Sequence, residues 1–432
     1  MRFCIRNGRV INPKTGLNEI ADVIIENGKV ADVCKTSASF ESFDKIIDAK
    51  GMCVAPGLID MHVHFREPGF TYKEDIASGS RSAAAGGFTT VCQMPNTNPV
   101  IDSAEVVNEL QKSVDKNAVI DVLTIGAITK GQQGEELADF KAMKDAGICC
   151  LSEDGKSVMN SAVMMEAMYK AKDLDLFITD HCEDKALFIG GCMNEGETSK
   201  KLGLKGIPTA TEEIITIRDI LLAQYTGCRL HLCHVSTKNC VDFIKWGKSH
   251  GVKVTAETCP HYFTFTDKDV IIDGVADPNF KMNPPLRGEE DKKAIFDAVC
   301  DGTIDVIITD HAPHSMEEKS KPFANCPFGV VGLETSLSAS YTALVKSGAI
   351  DLPTLIERMS VKPAELLGIE AGSIEKGRRA DIVIFDENKE YVVNPEEFKT
   401  KGRFTPFKGK KLSCRVMMTI KDGEIVFERD EF

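Results

Sequence analysis

Between residues 56 and 310, short apolar and β-branched runs recur at a steady interval, each parted from the next by a more polar stretch. The runs cover 56–64, 89–95, 120–128, 147–154, 175–181, 229–235, 252–258 and 304–310, eight in all. The stretches 103–115, 136–146, 161–172, 211–225 and 239–249 between them carry residue types that a helix accepts. Near-continuous apolar strands alternating with helices predict a parallel sheet covered on both faces. Eight such units predict an α/β fold closed into a (β/α)8 TIM barrel. An open doubly wound sheet is the alternative, but no glycine-rich dinucleotide fingerprint follows any run.

The two ends follow another rhythm. Residues 1–53 alternate as short strands do, at Phe3-Cys4-Ile5, from Ala21 to Ile25 and from Lys29 to Val33, with Asn7-Gly8 and Asn27-Gly28 as hairpin turn signals. The stretches 380–385, 415–420 and 424–427, the last two joined by Asp422-Gly423, repeat this style. The expected organisation is a small β-sandwich domain built from both termini, 1–53 and 369–432, beside a barrel spanning 54–368.

Composition narrows the function classes. With 432 residues, 43% hydrophobic and 27% charged, the chain is an ordinary globular protein. No apolar run is long enough to cross a membrane, and residues 1–10 lack a signal-peptide core. Fifteen cysteines without CxxC spacing, many inside apolar runs, read as reduced buried thiols, so a cytoplasmic location is expected. A net charge of −13 with no dense basic stripe argues against nucleic acid as a partner.

The first run ends in His62 and His64. Alternate strand residues share a face, so both imidazoles point the same way and make half of a metal site. Two unrelated core histidines are what that pair alone leaves open. The other strand ends decide between the two, because barrel chemistry sits at the C-terminal ends of strands. Asp154 ends the fourth run, Asp180-His181 the fifth, His231 and His234 the sixth, and Asp310-His311 the eighth. His and Asp are disfavoured in such places, so five loaded ends of eight point to a metal. His231 is expected on the ligand side but deeper, and His311 on the side opposite Asp310. His250 and His261 are expected in surface or packing roles. Cys182 and Cys233 are read as packing, because thiolates usually bind zinc in structural clusters.

Segments spread over most of the chain resemble the dihydroorotases of the amidohydrolase superfamily, of the longer class called type I. They are DMHVHFREPG at 60–69, GGFTTVCQMPNT at 86–97, SEDG at 152–155, HCED at 181–184, HVST at 234–237, KMNPPLR at 281–287 and TDHAPH at 309–314. The resemblance implies a barrel with a small β-domain and the reversible cyclisation of N-carbamoyl-L-aspartate to L-dihydroorotate in pyrimidine synthesis. It implies a zinc centre, with one or two ions per chain and two favoured. His62, His64 and Asp310 would bind one ion and His181 and His234 the second, with Asp154 as the bridge that many relatives make from a carboxylated lysine. Zinc-bound hydroxide would attack, with Asp310 as general base and then acid.

The same resemblance places the substrate. Arg66, Asn96 and His314 would hold the α-carboxylate, Asn283 and the Phe328-Gly329 backbone would meet the ring, and His64 would border it. Read without the resemblance, Arg66 could pair with Glu67 or Asp60, and Asn96 and Asn283 could be turn residues before prolines. The breaker-rich loop 323–332 is expected to close over the ligand, a plain structural loop being the alternative. A homodimer is expected, and association with an aspartate transcarbamoylase is open. The rival readings are a hydantoinase, dihydropyrimidinase or allantoinase, whose substrates lack that carboxylate. A non-catalytic subunit of aspartate transcarbamoylase is another, and it would be expected to have lost ligands.

Overall fold

In the computed structural model, which describes residues 2–35 and 43–432, eight parallel strands form one sheet in sequence order. They are Leu58–Val63, Phe88–Gln93, Asp121–Ala127, Ile148–Ser152, Ile178–Asp180, Leu230–Leu232, Val254–Thr258 and Val306–Ile307. The ring closes where Val63 bridges His311 in parallel and His64 donates its backbone N–H to the His311 carbonyl at 2.9 Å. Asp60 reinforces that seam, accepting from the Thr309 hydroxyl at 2.6 Å. The expected barrel is the observed one.

Every residue of the first two barrel strands is buried, as a sheet with helices outside and side chains inside requires. The helices Ala104–Asn117, Ser161–Asp173, Ala210–Thr226 and Lys238–Ser249 match their predicted spans closely. The helix expected at 136–146 is shorter, Phe140–Asp145, because the Asp139 side chain caps the Ala142 N–H and starts the helix late. The fifth strand begins late as well. Asp175 has a φ of 50°, a left-handed turn that an extended strand excludes.

The termini form the second layer system. Its eight strands run Glu424–Glu428, Lys411–Lys421, Ile382–Val392, Cys53–Pro56, Arg2–Asn12, Leu17–Glu26 and Lys29–Cys34, with Lys45–Asp48 also paired to Arg2–Asn12. They make one hydrogen-bonded sheet that wraps a core of its own, including Ile5, Val23, Ile25, Ile382, Ile384 and Ile420. Cys53–Pro56 joins the halves, antiparallel to Ile382–Phe385 and parallel to Arg9-Val10. The expected boundary at 53/54 falls inside this strand, and the chain crosses into the barrel at Gly57. A Cβ there would lie 2.2 Å from the Thr89 hydroxyl, so only glycine allows the approach.

Asn27-Gly28 is the predicted hairpin turn, with φ of 51° and 79° and Glu26 opposite Lys29. Asn7-Gly8 is not a turn. Arg2–Asn12 runs straight through it as one strand with a bulge, Asn7 adopting a φ of 61°. The Asn7 backbone N–H donates to Asp22 at 3.0 Å and its amide to Asp48 at 2.9 Å. The left-handed residue that a type I′ turn needs serves equally well in a bulge.

Candidate active site

All the strand-end residues expected to meet do meet, at the C-terminal mouth of the barrel. Asp154 lies at the centre. Its Oδ1 stands 3.3 Å from His62 Nε2, 3.6 Å from His181 Nδ1 and 3.7 Å from His234 Nε2, and its Oδ2 stands 3.5 Å from His64 Nε2. Asp310 Oδ1 is 3.2 Å from His64 Nε2 and 3.7 Å from His62 Nε2. Tetrahedral zinc with bonds of about 2.0–2.1 Å separates its ligand atoms by roughly 3.3 Å. His64 and Asp310 are also within hydrogen-bond reach, and His181 Nδ1 lies 2.8 Å from His234 Nε2, but the separations around Asp154 suit an ion between these atoms better than direct hydrogen bonds.

Two further observations fit a cation. His62 Nε2 and Asp154 Oδ1 are buried without a hydrogen-bond partner, which is costly for groups of this kind unless something else binds them. Burial alone would raise Asp154, yet His62 and His64 hold it well below the usual carboxylate range. Burial would likewise lower His62, and Asp154 instead drives it well above the usual imidazole value. The centre thus gathers negative charge and stabilises a positive charge at the ligand nitrogens. The His and Asp side chains form clusters that could hold a metal ion.

Three of these imidazoles have a partner behind the ring. His62 Nδ1 lies 2.7 Å from Glu257, His64 Nδ1 lies 2.9 Å from the Asn96 carbonyl, and His181 Nε2 lies 3.7 Å from Glu183. Such contacts fix which nitrogen faces the centre. Asn96 also donates to Asp154 Oδ2 at 3.2 Å, so it braces two ligands. His234 and Asp310 have φ of 33° and 47°, and Arg66 has 63°. Left-handed backbone at non-glycine residues costs about 1–3 kcal/mol each, and it concentrates at functional sites.

The ligands open into a cavity of about 380 Å³ that Arg66, Asn96, Asn283, His314, Phe328 and Gly329 also line. Arg66 does not pair with Glu67 or Asp60. Its Nε donates to the Pro313 carbonyl at 3.2 Å, which leaves the far edge of the guanidinium on the cavity. His314 Nε2 donates to the Phe328 carbonyl at 2.7 Å, and Nδ1 lies 3.3 Å from the Lys73 ammonium. Burial, with Arg66 and Lys73 close by, pushes His314 down to about 2, so this ring is neutral. Asn283 donates to Glu183 at 2.6 Å.

The loop after the eighth strand is tied from beneath. Lys281 Nζ donates to the carbonyls of Phe323 and Cys326, both at 2.6 Å, and Lys319 Nζ donates to those of Lys281 and Pro327 at 2.8 and 2.9 Å. Gly329 has a φ of 128°, and a Cβ there would sit 2.5 Å from the Ala312 carbonyl. The loop forms a wall of the cavity.

The remaining histidines fall as expected. His311 turns away towards Glu74 and Phe65, His231 lies below His62, His261 is buried, and His250 is exposed against Trp246. Cys233 comes within ligand reach of His62 and Glu257, but burial pushes its thiol far up, which makes it a poor ligand. Glu257 and Glu183 were absent from the strand-end census. A charged residue inside the apolar run 252–258 was the signal for Glu257.

Comparison with known proteins settles the family. A Dihydro-orotase-like family model matches residues 51–240, and an Amidohydrolase family model matches 336–427. A dihydroorotase from Bacillus cytotoxicus is 44% identical over 430 residues, covering 100% of this chain and 99% of the relative. One from Clostridioides difficile is 48% identical over 423 residues, covering 98% and 99%. This chain belongs to the dihydroorotase family. It is a cyclic amidohydrolase, an enzyme acting on small molecules. Among solved structures, an L-hydantoinase (dihydropyrimidinase) from Arthrobacter aurescens superposes with a TM-score of 0.88 at 26% identity, covering 99% of this chain and 96% of that one. A D-hydantoinase gives 0.86 at 25%, covering 99% and 95%. The dihydroorotase family thus shares the hydantoinase architecture, which was the rival reading, while its sequence stands much nearer the dihydroorotases.

Proposed function

We propose that this enzyme interconverts N-carbamoyl-L-aspartate and L-dihydroorotate in pyrimidine synthesis, at a centre of two zinc ions. His62, His64 and Asp310 would hold one ion and His181 and His234 the other, with Asp154 between them. The observation that carries this reading is one carboxylate, Asp154, set among four imidazoles in a cavity that also presents the Arg66 guanidinium. A bound zinc ion supplies a Lewis acid and lowers the pKa of water from 15.7 to about 7.

The chain's own residues do the rest. Arg66 faces the α-carboxylate with two parallel N–H groups. Asn96 and the neutral His314 ring border that carboxylate, His64 lies beside it, and Asn283 with the Phe328-Gly329 backbone meets the ring. Burial would raise Asp310, but the hydrogen bond to His64 and the charge of His62 keep it below the usual carboxylate range. In hydrolysis it takes a proton from the attacking water and passes it to the leaving ring nitrogen. In cyclisation it must begin protonated.

Hydantoinase and allantoinase substrates lack the carboxylate that Arg66 would serve, and Asp154 would stand where many relatives carry a carboxylated lysine. A non-catalytic subunit would have no use for so complete a ligand set. A cytoplasmic location is supported by the buried free thiols of Cys92, Cys150, Cys182 and Cys233. No helix among the described residues is long and apolar enough to cross a membrane. A homodimer is supported by Ile214, Leu221 and Tyr225, exposed on the helix Ala210–Thr226, and sedimentation tests it. Association with an aspartate transcarbamoylase belongs to the same reading, because that enzyme makes carbamoyl aspartate, and co-sedimentation tests it.

The deciding assay compares dihydroorotate, hydantoin and allantoin hydrolysis on one preparation with zinc quantified. Dihydroorotate turnover is expected to dominate, to vanish on chelation and to return with zinc. Preferred turnover of hydantoin, or full activity in metal-free protein, defeats the reading.

A further inference from the structure

Beneath the metal site the barrel interior holds a polar column that no ligand assignment uses. Glu257, on the seventh strand, is fully buried. Its Oε1 lies 2.7 Å from His62 Nδ1 and its Oε2 lies 3.0 Å from His231 Nε2. His231 Nδ1 in turn lies 2.8 Å from the Thr255 hydroxyl.

The protons in this column can be placed. An ionised carboxylate only accepts, so both facing nitrogens must carry hydrogen. With an ion at Nε2, where His62 has no hydrogen-bond partner, the ring would be held as the Nδ1–H tautomer. His231 is the Nε2–H tautomer, and its Nδ1 accepts from Thr255. One carboxylate thus orders two rings.

We propose that Glu257 is a positioning residue for the metal site: anchored from below by His231, it fixes the tautomer and ring plane of His62 and so sets how tightly the ion beside His62 is held. The inference rests on the metal reading above and adds to it a residue that never touches ion or substrate. Partners of this kind typically contribute 10–100-fold in metal affinity.

Glutamine at 257 is nearly isosteric but has one carbonyl oxygen, so it can accept from one ring and must turn its amide towards the other. Glu257→Gln is therefore expected to lose about 10–100-fold in zinc affinity by chelator competition, and to shift the visible absorption of the cobalt-loaded protein. His231→Asn, which removes only the anchor, is expected to lose less, and it decides the matter should Glu257→Gln fail to fold. Packing alone would lower thermal stability without moving either readout. Wild-type zinc affinity in the folded variants overturns this role while leaving the metal reading intact. A wild-type protein that turns over without any ion removes both.

Discussion

At the scale of single residues, Asp310 and Arg66 do different work, and substitution separates them. Asp310 Oδ1 lies near two imidazoles and is the group proposed to carry the proton. Asp310→Asn keeps the shape and one ligand oxygen but cannot carry the proton. Its kcat is expected to fall by about 10²–10⁴ with little change in KM. In the wild type, hydrolysis should gain and cyclisation should lose as pH rises past the Asp310 pKa, because the first needs the carboxylate and the second the acid. A single shared pH profile would assign the proton to another group. Arg66→Gln should instead act on binding. Losing a charged hydrogen-bonded pair is worth about 1.5–3 kcal/mol, or roughly 10–150-fold in KM for dihydroorotate. A cyclic amide without the carboxylate should scarcely notice the change, and an equal loss for both substrates would place Arg66 elsewhere. These ligands were legible in the sequence because His and Asp stand out at the ends of apolar strands. Glu183 was not, and Glu257 showed only as a charge inside an apolar run, since a carboxylate that serves an imidazole from behind leaves no spacing signature.

At the scale of elements, the eight-fold rhythm was legible because each parallel strand is buried on both faces and so reads as one apolar run. Boundaries were less so. The run 56–64 hides a change of sheet at Gly57, and Asn7-Gly8 carries the same left-handed preference in a bulge as in a turn. The loop 323–332 shows the limit most clearly. Its prolines and glycines signal irregular backbone, but not what holds it, and the holding groups Lys281 and Lys319 come from outside it. With two buried lysine amines donating to its carbonyls, this loop is expected to be a fixed wall rather than a moving lid. Lys281→Met should leave the Phe323 and Cys326 carbonyls without that donor, each worth about 1–3 kcal/mol if unsatisfied. Amide exchange at 322–329 should then rise at least tenfold, and KM with it. Fast exchange there in the wild type would instead restore the lid.

At the scale of the whole molecule, the terminal domain braces the barrel at the back of the site. Between its strands Ile382–Val392 and Lys411–Lys421, the chain reaches over so that Thr400 meets Glu74 and His311. The Phe404 carbonyl accepts from Val331 N–H at 2.9 Å. Glu334 joins the two units, accepting from the Ser82 hydroxyl of the helix Ile76–Ala85 at 2.8 Å and from Lys399 N–H at 2.7 Å. Burial pushes its carboxyl up to about 7, the hydrogen bonds offsetting only part of the rise. Between the ordinary value of 4.5 and about 7 the folded protein therefore binds the proton that the unfolded chain has lost. The contribution is complete below pH 4.5 and is lost as pH climbs through 7. Glu334→Gln mimics the protonated form at every pH. It should match the wild type in thermal stability near pH 5, and exceed it near pH 8 by on the order of a few degrees. A variant less stable than the wild type at both pH values would mean that the charged carboxylate itself holds the terminal domain to the barrel.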